Sequence, residues 1–169
     1  MKNIIPLIIT LALSLPLFAQ AADEPDTTQS FFEGLSVRPF AYVEAHNTSE
    51  IEGDGGGIGI AYNITDNLGL ETESFIADYK LDGPGIDRQS LNLTFRAPVG
   101  ESFAFVPFGG VSRDFGVDEW AFHVGLRAEV RLSSTVNVLK DTWLSADARW
   151  LNQDSDDWAI LTGGVSYKF

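Results

Sequence analysis

The side chains able to do chemistry are few and poorly matched to catalysis. The chain has two histidines and no cysteine, which removes disulfides, thiolate nucleophiles and thiolate metal sites together. A serine hydrolase needs Ser, His and an orienting carboxylate within hydrogen-bond reach. His46 is followed by Asn47-Thr48-Ser49 in a polar stretch, and His123 by Val124-Gly125. Neither spacing supplies such a unit, and no catalytic residue is assigned. Glu52-Gly53-Asp54-Gly55 and Asp154-Ser155-Asp156-Asp157 carry oxygen donors of the kind Ca²⁺ or Mg²⁺ prefers, but neither fits an EF-hand loop, which requires a ligand Glu at its end. They read as solvated acid, and no metal is assigned. Gly55-Gly56-Gly57 lacks the Lys-Ser/Thr of a phosphate loop, so no cofactor is assigned. The Asn-x-Ser/Thr matches at Asn47, Asn63 and Asn92 read as chance.

The remaining charges follow a different logic, because many fall on one face of alternating segments. Turn clusters of Gly, Asn, Asp, Ser and Pro divide the chain from Ser36 onward. They predict strands over 36–45, 56–64, 68–79, 88–97, 103–113, 120–132, 142–151 and 158–169. The sixth is clearest: Trp120, Phe122, Val124, Leu126, Ala128, Val130 and Leu132 oppose His123, Gly125, Arg127, Glu129 and Arg131. In the fourth, Leu91, Leu93, Phe95 and Ala97 oppose Ser90, Asn92, Thr94 and Arg96; in the seventh, Leu144, Ala146, Ala148 and Trp150 oppose Ser145, Asp147 and Arg149. The third sets Leu68, Leu70 and Ile76 against Glu71 and Glu73. Period two is a strand signal, and the prediction is an all-β protein.

Alternation also suits a soluble lipocalin-like binder, whose apolar face points inward. The composition of the polar face argues for the opposite sense. It carries formal charge at mid-strand beside small residues such as Gly57, Gly59, Ala61 and Gly125, which suits a narrow lumen where Arg and acid pair. Charge directed at lipid is costly. The predicted lumen network is Arg38, Glu71, Glu73, Arg96, His123, Arg127, Glu129, Arg131, Asp147 and Arg149.

The chain start points the same way. Met1-Lys2-Asn3, the apolar run Ile4–Phe18 and Ala19-Gln20-Ala21 have the three-part layout of a secretory signal peptide. The run falls short of the ~20 residues of a spanning helix and contains Pro6 and Pro16. The expected organisation is a signal peptide at 1–21, a polar periplasmic lead-in at 22–35 and a barrel at 36–169. Without Lys2, ten cationic residues stand against 24 acidic ones, which disfavours nucleic acid as a partner. No later apolar run could span as a helix, so membrane entry requires a closed barrel.

Val165, Tyr167 and Phe169 share one parity, and Phe169 ends the chain. This ending, with the eight segments and the leader, resembles the small eight-stranded outer-membrane β-barrels of the OmpA/OmpX-like type. The resemblance covers 36–169 and is architectural, not a matter of loop motifs. It implies an antiparallel up-and-down transmembrane barrel in the outer membrane of a Gram-negative cell, with both termini periplasmic. It also implies that Val165, Tyr167 and Phe169 act as an assembly signal for the barrel assembly machinery, reached with the help of periplasmic chaperones. Outer-membrane lipids and lipopolysaccharide are the implied surroundings. Loops 46–55, 80–87, 114–119 and 152–157 would then face out and carry most of the loop acid. The turns 65–67, 98–102 and 133–141 would face the periplasm.

Some barrels of this size modify lipid A. Deacylases among them carry a His-x-Ser pattern on the lipid-facing surface, which neither His46 nor His123 reproduces. The expected function is therefore a non-enzymatic structural or interaction role with a plugged lumen, with a lipid A deacylase or acyltransferase as the alternative. Two details of register remain open. Trp158 and Ile160 oppose Tyr167 and Phe169 in parity, which suggests a bulge at Gly163-Gly164, and the Phe-rich segment 103–113 is ambiguous. All four tryptophans, Trp120, Trp143, Trp150 and Trp158, sit at predicted strand ends, as in an interfacial aromatic belt.

Overall fold

The computed structural model describes residues 33–46, 51–79, 83–115, 118–132, 141–153 and 156–169. The predicted signal peptide, the predicted lead-in up to residue 32 and parts of five predicted loops lie outside them. The described residues form β1 (Leu35–His46), β2 (Ile51–Asn63), β3 (Leu68–Tyr79), β4 (Gly83–Phe95), β5 (Phe103–Asp114), β6 (Glu119–Arg131), β7 (Thr142–Gln153) and β8 (Asp156–Lys168). A stub, Ala97–Val99, continues β4 past Arg96 and pairs with β5. Every pairing is antiparallel between chain neighbours, and β1 with β8 closes the ring. The result is a closed eight-stranded up-and-down barrel, in which every strand has a hydrogen-bonded neighbour on both sides.

The strands run to 12 or 13 residues, longer than most of the predicted segments. Several acids assigned to outer loops therefore lie in strands: Glu52 and Asp54 in β2, Asp87 in β4, Asp114 in β5, Glu119 in β6, and Asp156 and Asp157 in β8. Sequence reading stopped at glycine and acid, both poor strand formers. Ladder pairing with the neighbouring strand carries the extended backbone through them.

At the end where β1 begins and β8 finishes, the turn between β2 and β3 is short and tied by hydrogen bonds. Ile64 N donates to Leu68 O at 2.7 Å, and Leu68 N donates to Thr65 Oγ1 at 3.0 Å. Gly100, with φ +71°, turns the chain between the β4 stub and β5, a conformation that favours glycine. At the opposite end Asp118 adopts φ +58°, and its carboxylate accepts from Arg113 Nη2 at 2.6 Å.

The wall is apolar outside and polar inside. Phe122 and Val124 are 72% and 65% exposed, with Leu91, Leu93, Phe105, Leu126, Leu144 and Leu161 also exposed on the same surface. The alternate positions Glu73 and Asn92 are completely buried. A lipocalin-like binder would have the reverse sense, and that reading is overturned.

β8 keeps one register against both neighbours from end to end. The expected bulge at Gly163-Gly164 is absent: Ile160 is fully buried and Trp158 packs on the interior cluster, while Tyr167 and Phe169 lie on the other face. Trp143 is likewise buried, so only Trp120 and Trp150 belong to an exposed aromatic belt. In β5 the ambiguity resolves with Ala104, Val106, Phe108 and Ser112 inside and Phe105 outside.

Candidate functional site

The lumen gathers the chemistry of the molecule, because parity delivers one polar face from each strand to a space only wide enough for side chains. Its middle holds three guanidinium groups and three carboxylates, all nearly inaccessible. Glu73 is the hub. It accepts from Arg149 Nη1 at 2.6 Å and Nη2 at 3.0 Å, from Asn92 Nδ2 at 2.8 Å, and from Arg38 Nη2. Arg38 also reaches Glu71 at 3.3 Å and Asp147 at 3.2 Å. Arg127 Nη2 donates to Glu71 Oε2 at 2.6 Å. Asp147 additionally accepts from Arg149 at 3.0 Å and from Thr162 Oγ1 at 2.6 Å. Burying such charges is tolerable only because each has several partners and the group is neutral as a whole.

Above this layer the lumen turns aromatic. Phe40, Tyr42 and Phe75 meet edge to face at 5.1 and 5.2 Å, joined by Ala121, Leu151 and Ile160. The arginines bridge the two layers: Arg38 lies 4.8 Å over Phe40, and Arg149 lies 5.2 Å over Phe75 and 5.0 Å over Phe108, a favourable cation–π arrangement when desolvated. Glycines make room for the rings. The Phe40 ring lies against Gly57 and the Phe108 ring against Gly125, so closely that a Cβ at either glycine would overlap it.

Two satellite triads flank these layers. Toward the β1–β2 end, Arg88 Nη2 sits 3.0 Å from both Glu44 and Asp114. Toward the opposite end, where β1 begins and β8 finishes, Glu129 accepts from Arg96 and Lys168, each at 3.1 Å. Across centre and satellites, six cations face six carboxylates.

Of the residues singled out in the sequence, Arg38, Glu71, Glu73, Arg127, Asp147 and Arg149 meet in the centre, and Glu129 lies below them. His123 faces the lumen, its Nε2 2.6 Å from Asn92 Oδ1, on the side of the wall opposite the exposed apolar surface. Arg96 is at the mouth, its side chain 22% exposed. Arg131 departs from the expected interior place: its side chain is 39% exposed and lies 3.6 Å from Asp141, because the barrel has already opened to solvent at its level. The side chain of His46 lies outside what is described. Among the described residues no group of acids and histidines is arranged to hold a metal.

Sequence reading missed Glu44, Arg88, Asp114, Lys168 and the aromatic layer. Parity carried the signal for most of them, since Glu44, Phe40 and Tyr42 alternate in step with Arg38, and Arg88 in step with Ser90 and Asn92. Asp114 falls in the predicted loop 114–119, where parity carries no signal.

No protein-family model and no curated protein matches the chain. Solved structures do. The N-terminal β-barrel domain of Pseudomonas aeruginosa OprF is similar with a TM-score of 0.56 at 15% identity, over 81% of this chain and 98% of that one. Neisserial surface protein A gives 0.52 at 16%, over 81% and 98%, and the attachment invasion locus protein Ail of Yersinia pestis gives 0.51 at 14%, over 81% and 99%. At this identity the likeness concerns the fold, which is that of the small eight-stranded outer-membrane barrels.

Proposed function

We propose that this chain is an integral outer-membrane protein without catalytic activity, closed to through-flow, whose acidic loops meet the surroundings. The observation that carries the reading is the buried ion network inside the barrel. A neutral, multiply bonded ion cluster lies against an aromatic layer in a barrel of only eight strands. Such a barrel has no room for a wide pore, and an interior this tightly paired costs too much to open for ordinary solute traffic. The exposed apolar wall supports the membrane placement, since a soluble monomer rarely shows an apolar surface of that extent. In this reading both termini are periplasmic, the outer loops contact lipopolysaccharide with its bound cations or another protein, and Val165, Tyr167 and Phe169 serve recognition during assembly.

Planar-bilayer recording tests closure: the protein should give no stable conductance, and steady porin-sized steps would overturn the reading. Mass spectrometry of lipid A from cells producing the protein tests the absence of catalysis. The acyl pattern should match that of cells without it, and loss or gain of an acyl chain would favour the enzyme alternative.

A further inference from the structure

The mouth where β1 begins and β8 finishes runs against the charge of the chain. Although acidic residues outnumber basic ones by 24 to 11 overall, three cationic side chains gather there around one indole. Arg96 lies 4.4 Å, Lys168 4.6 Å and Arg131 6.0 Å from the Trp143 ring. Among the described residues, Glu129 pairs with Arg96 and Lys168, and Asp141 with Arg131. Glu129 occupies one donor of Arg96 and one of Lys168 through a single oxygen, Oε2. Arg96 Nη2 is buried and has no hydrogen-bond partner among the described residues, and the same holds for the hydroxyls of Ser145 and Ser166.

Those serines are 7% and 3% exposed and flank the cluster: Ser166 is the cross-strand partner of Trp143, and Ser145 that of Glu129. Exposure falls from the rim inward, from 39% at Arg131 through 25% at Lys168 to 6% at Glu129. Exposure thus falls from the rim toward the buried groups that lack a partner.

We propose that this mouth binds a small soluble oxyanion, a phosphate or phosphate monoester, held by Arg96 and Lys168 with the Ser145 and Ser166 hydroxyls. Charge-assisted bonds from guanidinium and ammonium groups are the strongest available to such a ligand, and low dielectric in the lumen strengthens them. Trp143 holds the cations in place from behind, which reduces the ordering cost of binding. Glu129 opposes the ligand, so its removal tightens binding.

The test is a titration with inorganic phosphate of the protein in phosphatidylcholine nanodiscs, followed by the indole N–H resonances, with Trp143→Phe identifying the reporter. Trp143 should shift saturably while Trp120 and Trp150 stay still, and chloride at equal ionic strength should not reproduce the effect. Arg96→Gln and Lys168→Gln should each weaken binding about tenfold or more, and Glu129→Gln should strengthen it. Ser166→Ala, which leaves every ion pair intact, should weaken it modestly. Replacing the neutral lipid with phosphatidylglycerol should leave Trp143 in place, because the lumen opens to water and not to the acyl layer. Absence of a saturable shift in the parent, an equal shift with chloride, a shift produced by anionic lipid instead, or unchanged affinity in folded Arg96→Gln and Lys168→Gln would each overturn the proposal.

Discussion

Arg127→Leu probes the interior at its most demanding point. Arg127 Nη2 is 2.6 Å from Glu71 and 3.7 Å from Glu73, its Nε is 3.5 Å from Asp147, and its side chain is 5% exposed. Removing it leaves the centre with two guanidinium groups for three carboxylates, and Glu71 then depends on Arg38 at 3.3 Å. Breaking a buried pair by deleting one partner costs roughly 3–5 kcal/mol, although leucine adds apolar volume that would suit a lipid-facing position. Arg127→Leu with Glu71→Leu restores two against two. It should recover at least half of the loss, because an apolar replacement of both partners is far cheaper than an orphaned charge. Leu126→Arg, one residue away on the exposed face, should cost roughly 2–4 kcal/mol near the bilayer midplane. Equilibrium urea unfolding in lipid vesicles compares all three with the parent. If Arg127→Leu matches or exceeds parental stability, or the double variant is no better than the single, the account of the charged centre is refuted.

Lipid-borne quenchers provide a test of tryptophan placement: brominated acyl chains should quench Trp120 and Trp150 while sparing Trp143 and Trp158, and equal quenching of all four would refute the interior assignment. Gly125→Ala places a methyl group against the Phe108 ring and within 2.8 Å of Ala148 O, so it should destabilise by about 1–3 kcal/mol. Gly163→Ala, where a Cβ meets nothing within 4 Å, should stay within about 0.5 kcal/mol of the parent by the same urea measurement. Deleting Phe169 should slow membrane assembly in pulse-chase experiments and leave unfolded chain for proteolysis. An unchanged yield of heat-modifiable protein would count against a C-terminal signal.

Much of this protein is written locally. A side chain's face depends only on its parity within a strand, so the inward turn of Arg127, Glu129, Asp147 and Arg149 and the outward turn of Phe122, Val124 and Leu126 were legible from residues two apart. Trp158 and Ile160 show how far that rule reaches: their parity was correct as it stood, and the bulge introduced to turn them outward does not exist. Strand ends were less legible, because Gly53, Asp54 and Gly55 have little preference for extended structure and take it from pairing with Tyr42, Val43 and Glu44.

Parity says which side chains enter the lumen but not at what height or beside which others. Height follows from the stagger between strands around the closed ring, a property of the whole barrel. Arg38 thus meets Asp147 across 109 residues and Arg149 meets Glu73 across 76. Stagger also brings Phe40, Phe75 and Phe108 to neighbouring levels and sets Trp143 among Arg96, Arg131 and Lys168. The sequence determined which groups would be confined together, and ring closure decided which of them touch.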